Sequence, residues 1–175
     1  TVCMVCMIMG SAFATAGFNV GVFNGAQDIT IGYNESIGQI IVMSTSLAGG
    51  KEKIIANEEE QLYIEDGVGI SDSCDICGIF ICYTGKEWLY IQIGNKIYHI
   101  SGMDSSRQKI TDSKYKEDLQ LYVTNETIPL MQDMIEHRDE ETRIQLIGPS
   151  RTVTATLSNT TKDSIINLYN LFVAG

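Results

Sequence analysis

Apolar and polar residues alternate over short stretches early in the chain, which is the pattern of strands with one buried face. Alternation at residues 18–22 and 29–33, followed by an apolar run at residues 40–43, predicts three strands. Turn residues separate them at Asn24-Gly25 and near Asn34. The beginning of the chain is therefore expected to form antiparallel sheet.

The same pattern continues through the middle of the chain. Alternation at residues 62–64 and a β-prone run at residues 78–83 predict two further strands. Two alternating runs at residues 88–93 and 96–100 are separated by Gly94-Asn95, a pair that tolerates the positive φ of a tight hairpin turn. This predicts a hairpin. The polar stretch that follows, residues 101–116, is expected to be a mobile loop.

The last third of the chain changes to a helical pattern. Thr127 is placed to cap a helix that begins at Ile128-Pro129, where the fixed φ of proline is tolerated in the first turn. Two strands are then expected at residues 143–147 and 152–156, on either side of Gly148-Pro149.

A second amphipathic helix is predicted at the end of the chain. Ser158 or Thr160 is placed to cap it, and its apolar residues recur at helical spacing, at positions 165, 168, 169 and 172. Such a helix needs an apolar surface to cover. We therefore expect an α+β fold, mainly antiparallel β-sheet or sandwich, with two helices in the C-terminal third and the second one packed on the sheet.

Residues 1–16 have the character of a secretory signal peptide. An apolar stretch at residues 2–9 is followed by small residues two apart, at Ala12, Ala14 and Ala16, as signal peptidase requires. A signal begins with a positively charged segment, and no Lys or Arg precedes residue 51, so we expect it to be truncated at its N-terminus. An uncleaved anchor and a buried helix are the alternatives. We expect a periplasmic or secreted protein without a stable membrane span after cleavage.

The length and composition of residues 17–175 predict a single β-rich globular domain. Their length suffices for one domain with its own core. The whole chain has 12 basic and 22 acidic residues, for a net charge of −10. Such an acidic surface repels phosphate backbones, and no basic stripe interrupts it, so nucleic-acid binding is not expected.

Three cysteines lie close together in the sequence, at Cys74, Cys77 and Cys82. An exported protein meets oxidising conditions, so a disulfide among them is the favoured interpretation, with Cys74 to Cys82 the preferred bond. Buried thiols, a metal site completed by His99, and redox chemistry are the alternatives. No metal and no cofactor are expected.

Three aromatic residues of the predicted hairpin, Trp88, Tyr90 and Tyr98, are the candidate binding residues. An exposed aromatic strip would suit contact with a protein, peptide or glycan, although packing of the same rings under a helix is the favoured interpretation, because the C-terminal helix needs such a surface. No catalytic centre is recognisable. A thiol enzyme would have to use His99 or His137, and Cys82 with His99 is the preferred pair. The sequence therefore favours a binding or interaction module. An enzyme of unrecognised type and a self-assembling structural protein of the cell envelope are the alternatives.

Export can be tested directly. Expressed with a complete leader, the secreted chain is expected to begin at Thr15 or Gly17, because cleavage should follow Ala14 or Ala16. Intact mass spectrometry of the exported protein measures this. Retention of residues 1–16 in the exported protein would contradict the signal-peptide interpretation.

Overall fold

The structure is a computed structural model, and it describes residues 18–56, 60–71, 75–85, 90–93, 104–148 and 151–175. These residues form an α+β fold of antiparallel sheets and two helices, as the sequence predicts. The predicted signal segment, residues 1–16, lies outside the described residues. The elements are β1 (Ile29–Asn34), β2 (Gln39–Ser44), β3 (Lys53–Ala56), β4 (Gln61–Ile70), β5 (Asp75–Gly85), β6 (Tyr90–Ile93), β7 (Asp104–Thr111), β8 (Lys114–Tyr122), α1 (Ile128–Glu136), β9 (Arg143–Ile147), β10 (Thr152–Thr156) and α2 (Asn159–Ala174).

Within the described residues, seven strands form a large antiparallel sheet in the order β1-β2-β4-β5-β8-β7, with β3 also paired to β4. The long strand β4 has two partners on one edge. β2 pairs with residues 68–70 and β3 with residues 61–63. On its other edge β4 pairs with β5 along its whole length, from Gln61 to Ile70. The strands β6, β9 and β10 form a smaller sheet in the order β10-β9-β6.

The helix α2 covers one face of the large sheet. Ser158 caps it, since the Ser158 hydroxyl accepts a hydrogen bond of 3.0 Å from the Thr161 amide. Its apolar residues Ile165, Leu168 and Tyr169 are buried, as the helical spacing predicts. They belong to the two apolar clusters that fill the space between helix and sheet.

A buried lysine joins α2 to the segment after α1. Lys162 is 1% exposed, and its ammonium donates hydrogen bonds of 2.7 Å to the Arg138 carbonyl and 2.5 Å to the Glu140 carbonyl. The helix α1 begins where Pro129 predicts. Thr127 precedes it but makes no capping hydrogen bond. Its hydroxyl instead donates a hydrogen bond of 2.7 Å to the Tyr122 carbonyl, so it closes the turn from β8.

The predicted strand at residues 18–22 is wrong, because Val20–Phe23 form a short 3₁₀ helix. The side chain of Asn19 accepts a hydrogen bond from the Gly21 amide, which favours this turn over an extended strand. The ring of Phe18 stacks between those of Phe23 and Phe172, with centroids 5.7 Å apart in both pairs. Contact with α2 therefore overrides the local alternation.

The predicted loop at residues 101–116 is also wrong over its described part. Residues 104–111 form β7, and β8 begins at Lys114. β7 is an edge strand, and residues 106–111 are exposed on both faces, so their sequence lacks the alternation of a half-buried strand. Backbone pairing to β8 and an ion pair from Arg107 to Glu117 hold it in place.

The predicted hairpin at residues 88–100 is described only at β6, whose described partner is β9. Residues 86–89 and 94–100 lie outside the described part. Among the helices that the structure describes, none is long and apolar enough to cross a membrane.

A carboxylate is buried beneath α2, between the two apolar clusters. Asp66 of β4 is 2% exposed and accepts two hydrogen bonds from Ser44 of β2, 2.8 Å from the amide and 2.5 Å from the hydroxyl. The same hydroxyl lies 3.3 Å from the Ser164 carbonyl of α2. Burial raises the pKa of Asp66 to about 6, although the bonds from Ser44 lower it and the charge of Asp28 raises it further.

Asp28 forms a second polar group next to the first. Its carboxylate accepts hydrogen bonds from the Ser46 amide (2.8 Å) and from the hydroxyls of Ser46 (2.7 Å) and Ser164 (2.8 Å). Burial by itself would raise the pKa of Asp28, but these bonds and the charge of Lys51 lower it below its usual 3.8. Asp28 and Asp66 together tie β2 and β4 to α2.

The buried carboxylate predicts a specific pH dependence of stability. Asp66 should bind its proton near pH 6 when folded and near 3.8 when unfolded, so its contribution stabilises the protein as the pH falls through this interval. The expected gain is about 3 kcal/mol. The lowered pKa of Asp28 has the opposite effect on stability. Its contribution is lost as the pH falls, and only below pH 3.8.

Urea unfolding between pH 4 and 7 measures this contribution in Asp66→Asn, which should lose the pH dependence because the amide does not titrate. Asp112→Asn, at an exposed turn residue, is the matched control and should retain it. Parallel profiles for Asp66→Asn and the unaltered protein would contradict the assignment.

Candidate functional site

The face of the large sheet opposite α2 contains a groove of about 440 Å³. Side chains alternate across a strand, so the residues between the buried positions of β4, β5 and β8 point to this face. They supply two rings, several polar groups and one thiol: Tyr63, Glu65, Phe80, Cys82, Lys116, Asp118 and Gln120. The volume falls within the range of small-ligand sites.

Polar and aromatic groups of the groove are fixed by local contacts. Lys116 and Asp118 form an ion pair of 3.1 Å, and each side chain is 28% exposed. The ring of Phe80 meets that of Tyr122 edge-on, at 6.5 Å between centroids. The hydroxyl of Tyr122 donates to the side-chain oxygen of Gln120. The groove therefore presents an aromatic ring together with both hydrogen-bond donors and hydrogen-bond acceptors.

The loop after β2 forms one wall of the groove. Gly49 and Gly50 both have positive φ, at 76° and 64°, a conformation that favours glycine. The Gly50 amide donates to the Leu47 carbonyl at 3.1 Å, and Leu47 is fully buried. This buried residue thus holds Gly50 against the side chain of Tyr63.

The structure places two of the candidate cysteines on opposite faces of β5. Cys77 is buried on the α2 face, where burial and the nearby charge of Asp66 raise the pKa of its thiol. Cys82 lies five residues along the same strand and lines the groove. No disulfide joins the two. Cys74, the preferred partner of Cys82, lies outside the described residues, so that pairing stays a prediction.

The aromatic candidates from the sequence are only partly described. Trp88 and Tyr98 lie outside the described residues, as does His99. Tyr90 begins β6, where it pairs with Ile147 of β9 in the smaller sheet. Their role in binding therefore stays a prediction.

The sequence pattern does not reveal the groove. Its residues come from β4, β5 and β8; β6 and β7 separate β8 from β5 in the chain, and the sequence predicts a loop over the first residues of β8. The available signal was the alternation in β5, where Phe80 and Cys82 separate the buried Ile79, Ile81 and Tyr83. That alternation identifies a second face but does not show which strands lie beside it.

Among the described residues, one group of side chains offers several metal-ligand atoms close together. Ligand atoms of Asp133, Glu136 and His137 lie within 4.8 Å of one another at the end of α1. The Nδ1 atom of His137 is 3.0 Å from the Asp133 carbonyl. Glu136 and His137 are exposed, as expected of a solvated helix end.

No protein-family model, curated protein or solved structure matches the chain.

The two glycines of the groove wall make a testable pair. Gly49→Ala and Gly50→Ala should each cost about 1 kcal/mol, because an L-residue is strained at positive φ. Gly50→Ala should cost more, since the added carbon would lie 3.3 Å from Tyr63, whereas nothing lies within 4 Å at Gly49. Urea unfolding of both variants measures the difference. Equal losses would show that Gly50 does not support the Tyr63 ring.

Proposed function

We propose that this protein is an exported, non-enzymatic binding module that takes a neutral glycan in the groove opposite α2. The observation that carries the proposal is the groove itself, which combines aromatic rings with paired donors and acceptors on the sheet face that α2 leaves uncovered. Export rests on the pattern of residues 1–16 alone.

The lining chemistry favours a ligand rich in hydroxyl groups. Sugar hydroxyls both donate and accept hydrogen bonds, which matches carboxylates at Glu65 and Asp118 beside an ammonium and an amide at Lys116 and Gln120. The carbon–hydrogen face of a sugar ring is apolar and suits a flat ring such as Tyr63. A planar ring and a few polar groups are the usual composition of a small-ligand site.

Charge disfavours an anionic ligand. Glu65 and Asp118 outnumber Lys116, and the chain as a whole has a net charge of −10. An anion would approach against this potential. A neutral glycan meets no such barrier, and Lys116 is already neutralised by its ion pair with Asp118.

Ligand-observed NMR with a set of neutral oligosaccharides tests the proposal. Tyr63→Ala should weaken binding at least about 5-fold, because a stacked ring contributes on the order of 1 kcal/mol or more. The matched control is Tyr33→Ala, which removes the same ring from the exposed strand β1 and should leave affinity unchanged. Equal affinity for Tyr63→Ala and Tyr33→Ala would place any binding outside the groove.

Cationic peptides form the second arm of the same experiment. Binding of a Lys- or Arg-rich peptide without binding of any neutral sugar would overturn the glycan assignment and retain the groove as a peptide site.

An enzyme that uses Cys82 is the second candidate, because the Cys82 side chain lines the same groove. Cys82→Ser separates the two candidates. A binding module should keep its affinity within about 2-fold, since the substitution changes one atom. A thiol enzyme would bind but lose all turnover of the ligand.

A further inference from the structure

The two edges of the large sheet differ in their protection against strand pairing. β7, at one edge, carries Arg107 and Lys109, and its register with β8 shifts between Lys109 and Thr111. Charges, lysine above all, and irregularities of this kind are how proteins prevent edge-to-edge association. That edge is therefore protected.

The opposite edge, β1, has neither charged side chains nor a shift of register. Its six residues, Ile29–Asn34, carry no charged side chain, and they pair with β2 in unbroken register. No described strand pairs with the outer side of β1. Two apolar side chains two residues apart, hence on one face, are exposed there: Ile31 at 54% and Tyr33 at 64%. An unprotected, regular and apolar edge is a template for another strand.

We infer that β1 pairs antiparallel with β1 of a second copy of this chain, about a two-fold axis at Gly32. In this register Ile31 lies opposite Tyr33 of the second copy, and symmetry repeats the pair. Pairs of an aromatic and a β-branched residue stabilise antiparallel strands. The strand thus complements itself, as an isologous interface requires.

The charges flanking β1 are compatible with this pairing. Extending the register places Asp28 opposite Ser36 of the second copy, and Glu35 opposite Ile29 of the second copy. No like charges are directly opposed, although the two copies repel each other through their net charge of −10. A six-residue strand pair is a small interface, so the dimer is weak and strengthens as salt screens the repulsion.

Sedimentation velocity over a range of protein concentrations, at low and high sodium chloride, tests this inference. The protein should change from monomer to dimer with concentration, and high salt should tighten the dimer. Ile31→Lys should raise the dissociation constant at least 10-fold. Ile110→Lys is the matched control, because Ile110 is 50% exposed on the protected edge β7 and the charge change is the same.

Each other outcome overturns the inference. A protein that stays monomeric at every concentration of protein and salt would contradict it. Equal weakening of the dimer by Ile31→Lys and Ile110→Lys would contradict it as well. Dimerisation that salt weakens would indicate a contact between opposite charges elsewhere. Far-ultraviolet circular dichroism checks that both variants remain folded. Glycan binding in the groove is measured separately, so neither proposal depends on the other.

Discussion

The rest of the structure depends on the hydrogen bonds between the buried carboxylate of Asp66 and Ser44. Asp66 lies on β4, Ser44 on β2, and the Ser44 hydroxyl also approaches the Ser164 carbonyl of α2. A buried carboxylate is costly unless its oxygens are hydrogen-bonded, so the three elements are held in one arrangement. A slip of β2 by one residue would turn Ser44 to the other face and leave the carboxylate without these donors.

This arrangement gives the large sheet two unlike faces. The helix α2 covers one face, and the apolar residues of β4 and β5 on that side form the core. The other face retains the groove, because its residues point away from α2. Fixing the helix on one face therefore also determines which face carries the groove.

Much of the fold could be predicted from the local sequence pattern. The bounds of β9 and β10 agree with the prediction because each alternates cleanly between turn residues. The Ser158 cap was predictable because it involves only residues three apart. The 3₁₀ helix at Val20–Phe23 was not, because its sequence alternates like a strand while the Phe18 ring packs against α2.

The groove and the Asp66 network were beyond the reach of pattern analysis for the same reason. Both depend on which strands are neighbours, and the residue pairs between β5 and β8 are 30 to 44 positions apart in the chain, from Gly85 with Tyr115 to Gly78 with Tyr122. The sequence shows Asp66 merely as a polar residue in an apolar run. Only the pairing of β2 with β4 brings Ser44 to it.

The two faces of the sheet can be compared in one measurement, because Cys77 and Cys82 lie on opposite sides of β5. The native protein, after mild reduction, is treated with a small thiol reagent, and peptide mapping locates the label. We expect rapid labelling of Cys82 at the groove and labelling of Cys77 only after unfolding, since Cys77 is 5% exposed beneath α2. Labelling of Cys77 as fast as Cys82 would contradict the assignment of one covered and one solvent-accessible face.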